Sequence, residues 1–171
     1  DGTALATQAN MDKLDSRIGA FDDTVRDAIK GNTFDATDKG FLASGKKTGN
    51  IKIGLSGECV NGWASAPTQS VVYSSCHDNY TLYDKLVSSL YPDEKDFRKR
   101  HANLVEMTKL NAATIFSAQG MTFFLAGEEF CRSKDGDENS FKSSATLNMI
   151  DWESVNNYSD VVSFPMHYNW N

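Results

Sequence analysis

Val71-Val72-Tyr73-Ser74-Ser75-Cys76-His77-Asp78-Asn79-Tyr80-Thr81-Leu82 is the stretch on which the reading of this chain turns. The β-branched run from Ser70 to Tyr73 reads as a strand, and it becomes polar abruptly at Ser74. From Tyr80 onward, Leu82, Leu86, Val87 and Leu90 recur at helical spacing, and Pro92 follows Tyr91 as a stop. A strand therefore passes through a short polar loop into a helix, with His77 and Asp78 at the strand's carboxyl end.

Similar units flank this one. Ile18-Gly19-Ala20-Phe21 is a short apolar run followed by Asp22-Asp23 and a helix-like segment 24–30, with Gly31 in the C-cap position. Residues 31–50, rich in Gly, Lys, Thr and Asp, read as an exposed loop. The spacing predicts a long helix over 95–118. Its apolar residues Leu104, Met107, Leu110, Ile115 and Phe116 wander around the surface, which implies burial on more than one side. Thr122-Phe123-Phe124-Leu125-Ala126 reads as a third strand ending in Gly127-Glu128-Glu129, and 132–144 as a polar loop.

This alternation is the signature of an α/β protein. No internal repeat, low-complexity segment or composition shift divides it, so residues 1–171 read as one unit. Three strands that each end in acidic or His/Asp residues suggest a parallel sheet with one functional edge, because ligands of such sheets bind where the loops after the strands converge. A doubly wound sheet and a barrel fit the pattern equally well.

Composition bounds the function. With 171 residues, 40% hydrophobic and 11% aromatic, the chain has material for a core of single-domain size. The net charge of −6 and the mixing of Lys95, Arg98, Lys99, Arg100 and His101 with Asp93, Glu94 and Asp96 on the expected helix describe a solvated face and argue against nucleic acid as a partner. The apolar run 121–126 falls far short of the roughly 20 residues that cross a bilayer. The opening Asp1-Gly2-Thr3-Ala4 has neither an initiator Met nor a signal-peptide pattern, so the chain reads as cut from something longer. Cys59, Cys76 and Cys131 lack the CxxC or Cys/His spacing of a structural zinc site, and none is expected. Their odd number leaves at least one thiol unpaired, which fits a reducing compartment while leaving one disulfide open. The location stays open between the bacterial cytoplasm and secretion.

The His77–Asp78 pair offers a hydrogen-bond donor and an acceptor side by side, which suits vicinal sugar hydroxyls. Taken alone, the pair is better explained by Asp78 or Asn79 capping the helix that follows. The surrounding residues change that weighting. Val72-Tyr73-Ser74-Ser75-Cys76-His77-Asp78-Asn79-Tyr80-Thr81-Leu82-Tyr83-Asp84-Lys85-Leu86 resembles the seventh-strand motif of type I pullulanases of glycoside hydrolase family 13. Phe21-Asp22-Asp23-Thr24-Val25-Arg26-Asp27-Ala28-Ile29-Lys30-Gly31 resembles the sixth strand and its helix, with Asp22 where the family usually has Asn and Val25 where it has an aromatic. Gly40-Phe41 fits the loop beyond. Phe124-Leu125-Ala126-Gly127-Glu128-Glu129-Phe130 resembles the eighth strand. Asp137-Glu138-Asn139-Ser140-Phe141 and Ile150-Asp151-Trp152 resemble the loop after it, with Phe141 where Tyr is usual. The matches run in order from residue 6 to about 162.

The resemblance implies a partial (β/α)8 barrel, strands six to eight with their helices, from a hydrolase of α-1,6 branches in pullulan, starch or glycogen-like glucans. It implies a retaining mechanism, with a nucleophilic Asp on the fourth strand and an acid Glu on the fifth. Neither matches a residue of this chain, so the chain alone is expected to be inactive and to need the missing half of the barrel. Asp78 aligns with the third acid, implied to stabilise the transition state by holding the sugar hydroxyls, and His77 and Asn79 would contact the same sugar. The resemblance calls for no cofactor. The acidic loop Asp135-Gly136-Asp137-Glu138 leaves calcium open. An α-glucan-binding segment without chemistry, and a plain α/β domain, are the alternative readings.

Other residues have structural readings beside the functional ones. Arg26 and Asp27 read as a structural ion pair, with Asp23 the better candidate to face the cleft. Glu128 and Glu129 read as anchors of their loop. Arg132, Asn139 and Phe141 fit a sugar cleft about as well as loop packing, Tyr80 and Tyr83 could stack on sugars although Tyr83 has core spacing, and Cys76 reads as a buried small residue. Beyond Val161-Val162-Ser163-Phe164, Pro165 makes a continuing helix costly.

Overall fold

A computed structural model describes residues 5–150 and 152. The tail around Pro165, the opening four residues and Asp151 lie outside the described residues. Three strands, β1 (Ala20–Phe21), β2 (Ser70–Val72) and β3 (Met121–Thr122), pair in parallel in the order β1-β2-β3. The register sets Ala20 opposite Ser70 and Val72 opposite Thr122. The expected three parallel neighbours in sequence order are present, giving a mixed α/β chain with a small sheet. The third strand is shorter than predicted. Phe123 still donates its N–H to the Val72 carbonyl at 2.9 Å, but β2 ends there and offers 123–126 no further partners.

Helix α1 (Asp23–Lys30) starts where β1 stops because the Asp22 carboxylate accepts from Val25 N at 3.0 Å. Gly31 ends it at φ +94°, packed so closely that a Cβ there would lie 2.2 Å from the Asp38 carbonyl oxygen. Val25, Ala28 and Ile29 face the core.

Residues 31–50 are not all loop. They contain α2 (Phe41–Ser44) and the start of α3 (Thr48–Leu55). Few large apolar residues are needed there, because Gly54 lets α3 settle directly onto Val25; a Cβ at Gly54 would fall 2.2 Å from a Val25 methyl. Just beyond α3, Glu58 is 2% exposed and lies in side-chain hydrogen-bond contact with the fully buried Asp22, whose other oxygen accepts from Ser70 Oγ at 3.2 Å. Burial pushes both carboxyls up, Glu58 to about 7.

Helix α4 (Leu82–Leu90) is capped by Thr81, whose hydroxyl oxygen accepts from Asp84 N at 3.1 Å; neither Asp78 nor Asn79 has that role. Leu82, Tyr83, Leu86 and Val87 are fully in the core. Helix α5 (Ala102–Phe116) begins later than the spacing predicts. The acidic residues ahead of it bind backbone amides themselves: Glu94 accepts from Lys95 and Asp96 N, and Asp96 from Arg98 N. Such local bonds compete with the helix, so the basic cluster 95–101 lies on a loop. Helix α5 also buries one stripe, Leu104, Val105, Thr108, Asn111 and Ile115, completed by two polar residues that find partners, while Leu110 and Phe116 stay exposed. Phe116 packs instead on Phe124. The short helix α6 (Ala145–Asn148) closes the described part. No helix among the described residues is long and apolar enough to cross a membrane.

Candidate functional site

The loop leaving β2 is fastened from behind at two points. Glu128, 4% exposed, accepts from Ser74 Oγ at 3.4 Å, from Ser75 Oγ, and from Asn111 Nδ2 at 2.5 Å. The loops after β2 and β3 thus share one carboxylate and lie at the same end of the sheet. Burial pushes Glu128 up to about 7, against the pull of the serine hydroxyls and of Lys30. Lys30 is itself buried, and the loss of water brings it down to about 8.

The second fastening is Asp84, in the first turn of α4. Its carboxylate, 0% exposed, accepts from Ser133 Oγ at 2.6 Å and from Lys134 N at 2.8 Å. Lys134 then reaches back, its ammonium donating to the His77 carbonyl at 2.9 Å and to Ser140 Oγ at 2.7 Å. The backbone at His77 is thereby tied to the loop that follows β3.

At the tip of the loop the character reverses. His77 and Asp78 have side chains 85% and 74% exposed, with Nε2 and Oδ1 3.2 Å apart. Asn79 takes φ +61° and its side-chain oxygen accepts from Tyr80 N at 2.8 Å, which closes the turn. The Tyr80 hydroxyl meets the Glu138 carboxylate, joining this turn to the acidic loop. Cys76 is half-buried, not buried as its size suggested, because it stands at the boundary between the clamped base and the open tip.

Asp23 is exposed at the start of α1 and accepts from the Tyr73 hydroxyl at 2.7 Å and from Arg26 at 2.8 Å. Arg26 also pairs with Asp27 at 2.7 Å, as expected of a structural ion pair. Tyr73 joins Phe21 and Phe123 in a cluster of edge-on rings with centroids 5.1 to 6.2 Å apart. The other expected cleft residues are spread out. Arg132 is half-buried and donates to the carbonyls of Ala126 and Asn148. Asn139 is exposed and Phe141 is 78% exposed, with the Lys142 ammonium 5.2 Å from its ring centre. Glu129 accepts from Gly127 N and anchors its own loop. In the acidic loop, Asp135 is held by Arg98 and Asp137 accepts from Asn139 N and Ser143 Oγ, so their oxygens are spent locally.

The structure brings His77, Asp78 and Asn79 together with the unexpected supports Asp84, Ser133 and Lys134. A lysine inside a polar loop gives no signal of such a role. Chemically, the tip presents a donor, an acceptor and freedom of access, and among the described residues no second carboxylate is hydrogen-bonded to Asp78.

No protein-family model matches the chain. It is 38% identical over 166 residues to the pullulanase of Bacillus subtilis, covering 93% of this chain and 22% of that protein. Among solved structures, the type I pullulanase of B. subtilis complexed with maltose superposes with a TM-score of 0.77 at 35% identity, over 94% of this chain and 23% of that one. The Paenibacillus barengoltzii pullulanase complexed with maltohexaose and α-cyclodextrin gives 0.76 at 39% identity, over 92% and 24%. The chain thus spans less than a quarter of the length of these relatives. Over most of its 171 residues it is homologous to pullulanases, and it is a pullulanase-like segment.

Proposed function

We propose that the chain forms strands six to eight of a (β/α)8 barrel in a type I pullulanase of glycoside hydrolase family 13, and that Asp78 holds hydroxyls of the glucose at the cleavage point of an α-1,6-branched glucan. The observation that carries this reading is the open His77–Asp78 pair on a loop clamped from behind at Glu128 and Lys134. Such bonds strengthen as the sugar ring distorts, so the pair stabilises the transition state while the two reacting carboxylates come from strands four and five. His77 and Asn79 contact the same sugar, and Asp23, Arg132, Asn139 and Phe141 flank the cleft. The rest of the barrel meets the free edges of β1 and β3, and an apolar groove of about 600 Å³ lies between Phe116 of α5, Phe124 beyond β3 and Trp152.

The test uses pullulan and two proteins. The purified chain should release no reducing ends. In the enzyme that contains it, Asp78→Asn should lower kcat by at least about 100-fold with its fold intact. Turnover by the chain alone, or near-normal kcat in the variant, would overturn the assignment. Glucan binding without turnover in the containing protein would favour a purely carbohydrate-binding role.

A further inference from the structure

Cys76, His77 and Asp78 are consecutive, yet the Cys76 sulfur, an imidazole nitrogen of His77 and a carboxylate oxygen of Asp78 all lie within 4.8 Å of one another. In an extended strand neighbouring side chains point to opposite faces. Here the chain has left β2 and bends at 77–79, so strict alternation no longer separates the three donors. The fastenings described above hold this bend: Ser75 to Glu128 just before it, the His77 carbonyl to Lys134 within it. Cys76 lies inside the segment that carries the resemblance, but the resemblance places no demand on it and the sugar-binding role proposed for its neighbours does not use it.

We infer that Cys76, His77 and Asp78 form an open, three-ligand site for a borderline-soft divalent cation of the zinc type. The donor set of one sulfur, one nitrogen and one oxygen suits that class and disfavours calcium or magnesium, which take oxygen alone. The Nε2 to Oδ1 separation of 3.2 Å already matches the roughly 3.3 Å between ligands of a tetrahedral zinc ion with bonds near 2.05 Å. The sulfur lies within 4.8 Å of the other two donors. On binding, the Cys76 thiol gives its proton to solvent, and thiolate and carboxylate together neutralise the ion. The exposure of His77 and Asp78 leaves the fourth position to water. Lys134 works against the site electrostatically, although its ammonium is turned to the His77 carbonyl and Ser140. The site is therefore weaker than a closed structural zinc centre. If the glucan reading holds, metal and sugar compete for His77 and Asp78.

Cobalt(II) titration of the full 171-residue chain, followed by absorption, tests the binding without reference to glucan. One equivalent should produce a thiolate-to-cobalt band in the near ultraviolet and tetrahedral bands in the visible, and zinc should erase both. Cys76→Ser should abolish the thiolate band. His77→Ala and Asp78→Asn should each weaken cobalt affinity at least about tenfold, with unchanged circular dichroism because both side chains are exposed. Cys59→Ser, an exposed cysteine elsewhere, should change nothing. Absence of the thiolate band, its survival in Cys76→Ser, or its loss in Cys59→Ser would overturn the assignment. Intact cobalt binding in the Asp78→Asn chain, alongside lost pullulan cleavage when the same substitution is made in the enzyme that contains it, would leave the sugar role standing and remove the metal role.

Discussion

The base and the tip of the β2 loop are a few residues apart and physically opposite. At the base, Ser74, Ser75, Glu128 and Asp84 are buried and bonded to one another or to their neighbours. At the tip, His77 and Asp78 are mostly in water. Burial makes each polar group of the base expensive to leave unpaired, while the tip gives up little on folding and keeps its bonding capacity for a ligand. Buried, bonded groups and open, accessible ones are thus separated along one short stretch of chain.

Substitution at the base should have the largest effect. Glu128→Ala strands the hydroxyls of Ser74 and Ser75 and the amide of Asn111, so urea denaturation should show a loss of about 2–4 kcal/mol. Glu128→Gln, which keeps the shape, should recover much of it. A loss below about 1 kcal/mol for the alanine variant would mean that the base is not dry.

Next comes Tyr83, whose hydroxyl donates to the Lys99 carbonyl at 2.8 Å and accepts from His101 N at 2.9 Å. It secures the loop that replaces the expected start of α5. Tyr83→Phe should cost about 1–2 kcal/mol in the same assay, and no cost would indicate that the 95–101 loop is held by other contacts.

A smaller effect, with a pH signature, belongs to Asp22 and Glu58, a buried acidic pair away from the loop. Asp23 and Cys59 are further titratable groups that interact with it electrostatically. Their folded pKa values lie above the unfolded ones, so the pair's contribution is complete below the ordinary carboxyl range and is lost as pH rises through about 7. Asp22→Asn keeps an acceptor for Val25 N and offers Glu58 an amide hydrogen. Between about pH 5 and pH 8 the variant should lose less stability than the parent chain, by on the order of 1 kcal/mol. Parallel stability curves for the two proteins would show that no proton is shared there.

The smallest effect is expected at the tip. Asp78→Asn should shift the urea midpoint by no more than about 0.5 kcal/mol of stability, since the side chain is 74% exposed. A larger change would erase the contrast between base and tip.

Much of this arrangement was legible in the sequence. The β-branched run at 70–73, the 24–30 helix with Gly31 and the leucine spacing of α4 each declare one local structure, while the order β1-β2-β3 was expected only from the resemblance to strands six to eight. What stayed hidden depended on partners distant in the chain. Asn111 looks like a solvent residue until Glu128 is brought to it. Helix α3 escaped notice because its packing rests on the smallness of Gly54 against Val25, a feature invisible to hydrophobic periodicity. Lys134 and Asp84 act across 50 or more residues, and nothing in their local sequence marks them.

Lys134 has one more consequence. Its ammonium holds the His77 carbonyl and Ser140 at once, so the loops after β2 and β3 cannot fluctuate independently while both bonds persist. Any ligand that immobilises either loop would already meet part of the ordering entropy of the other, and a second contact made on the far side would bind to a surface that is quieter than before.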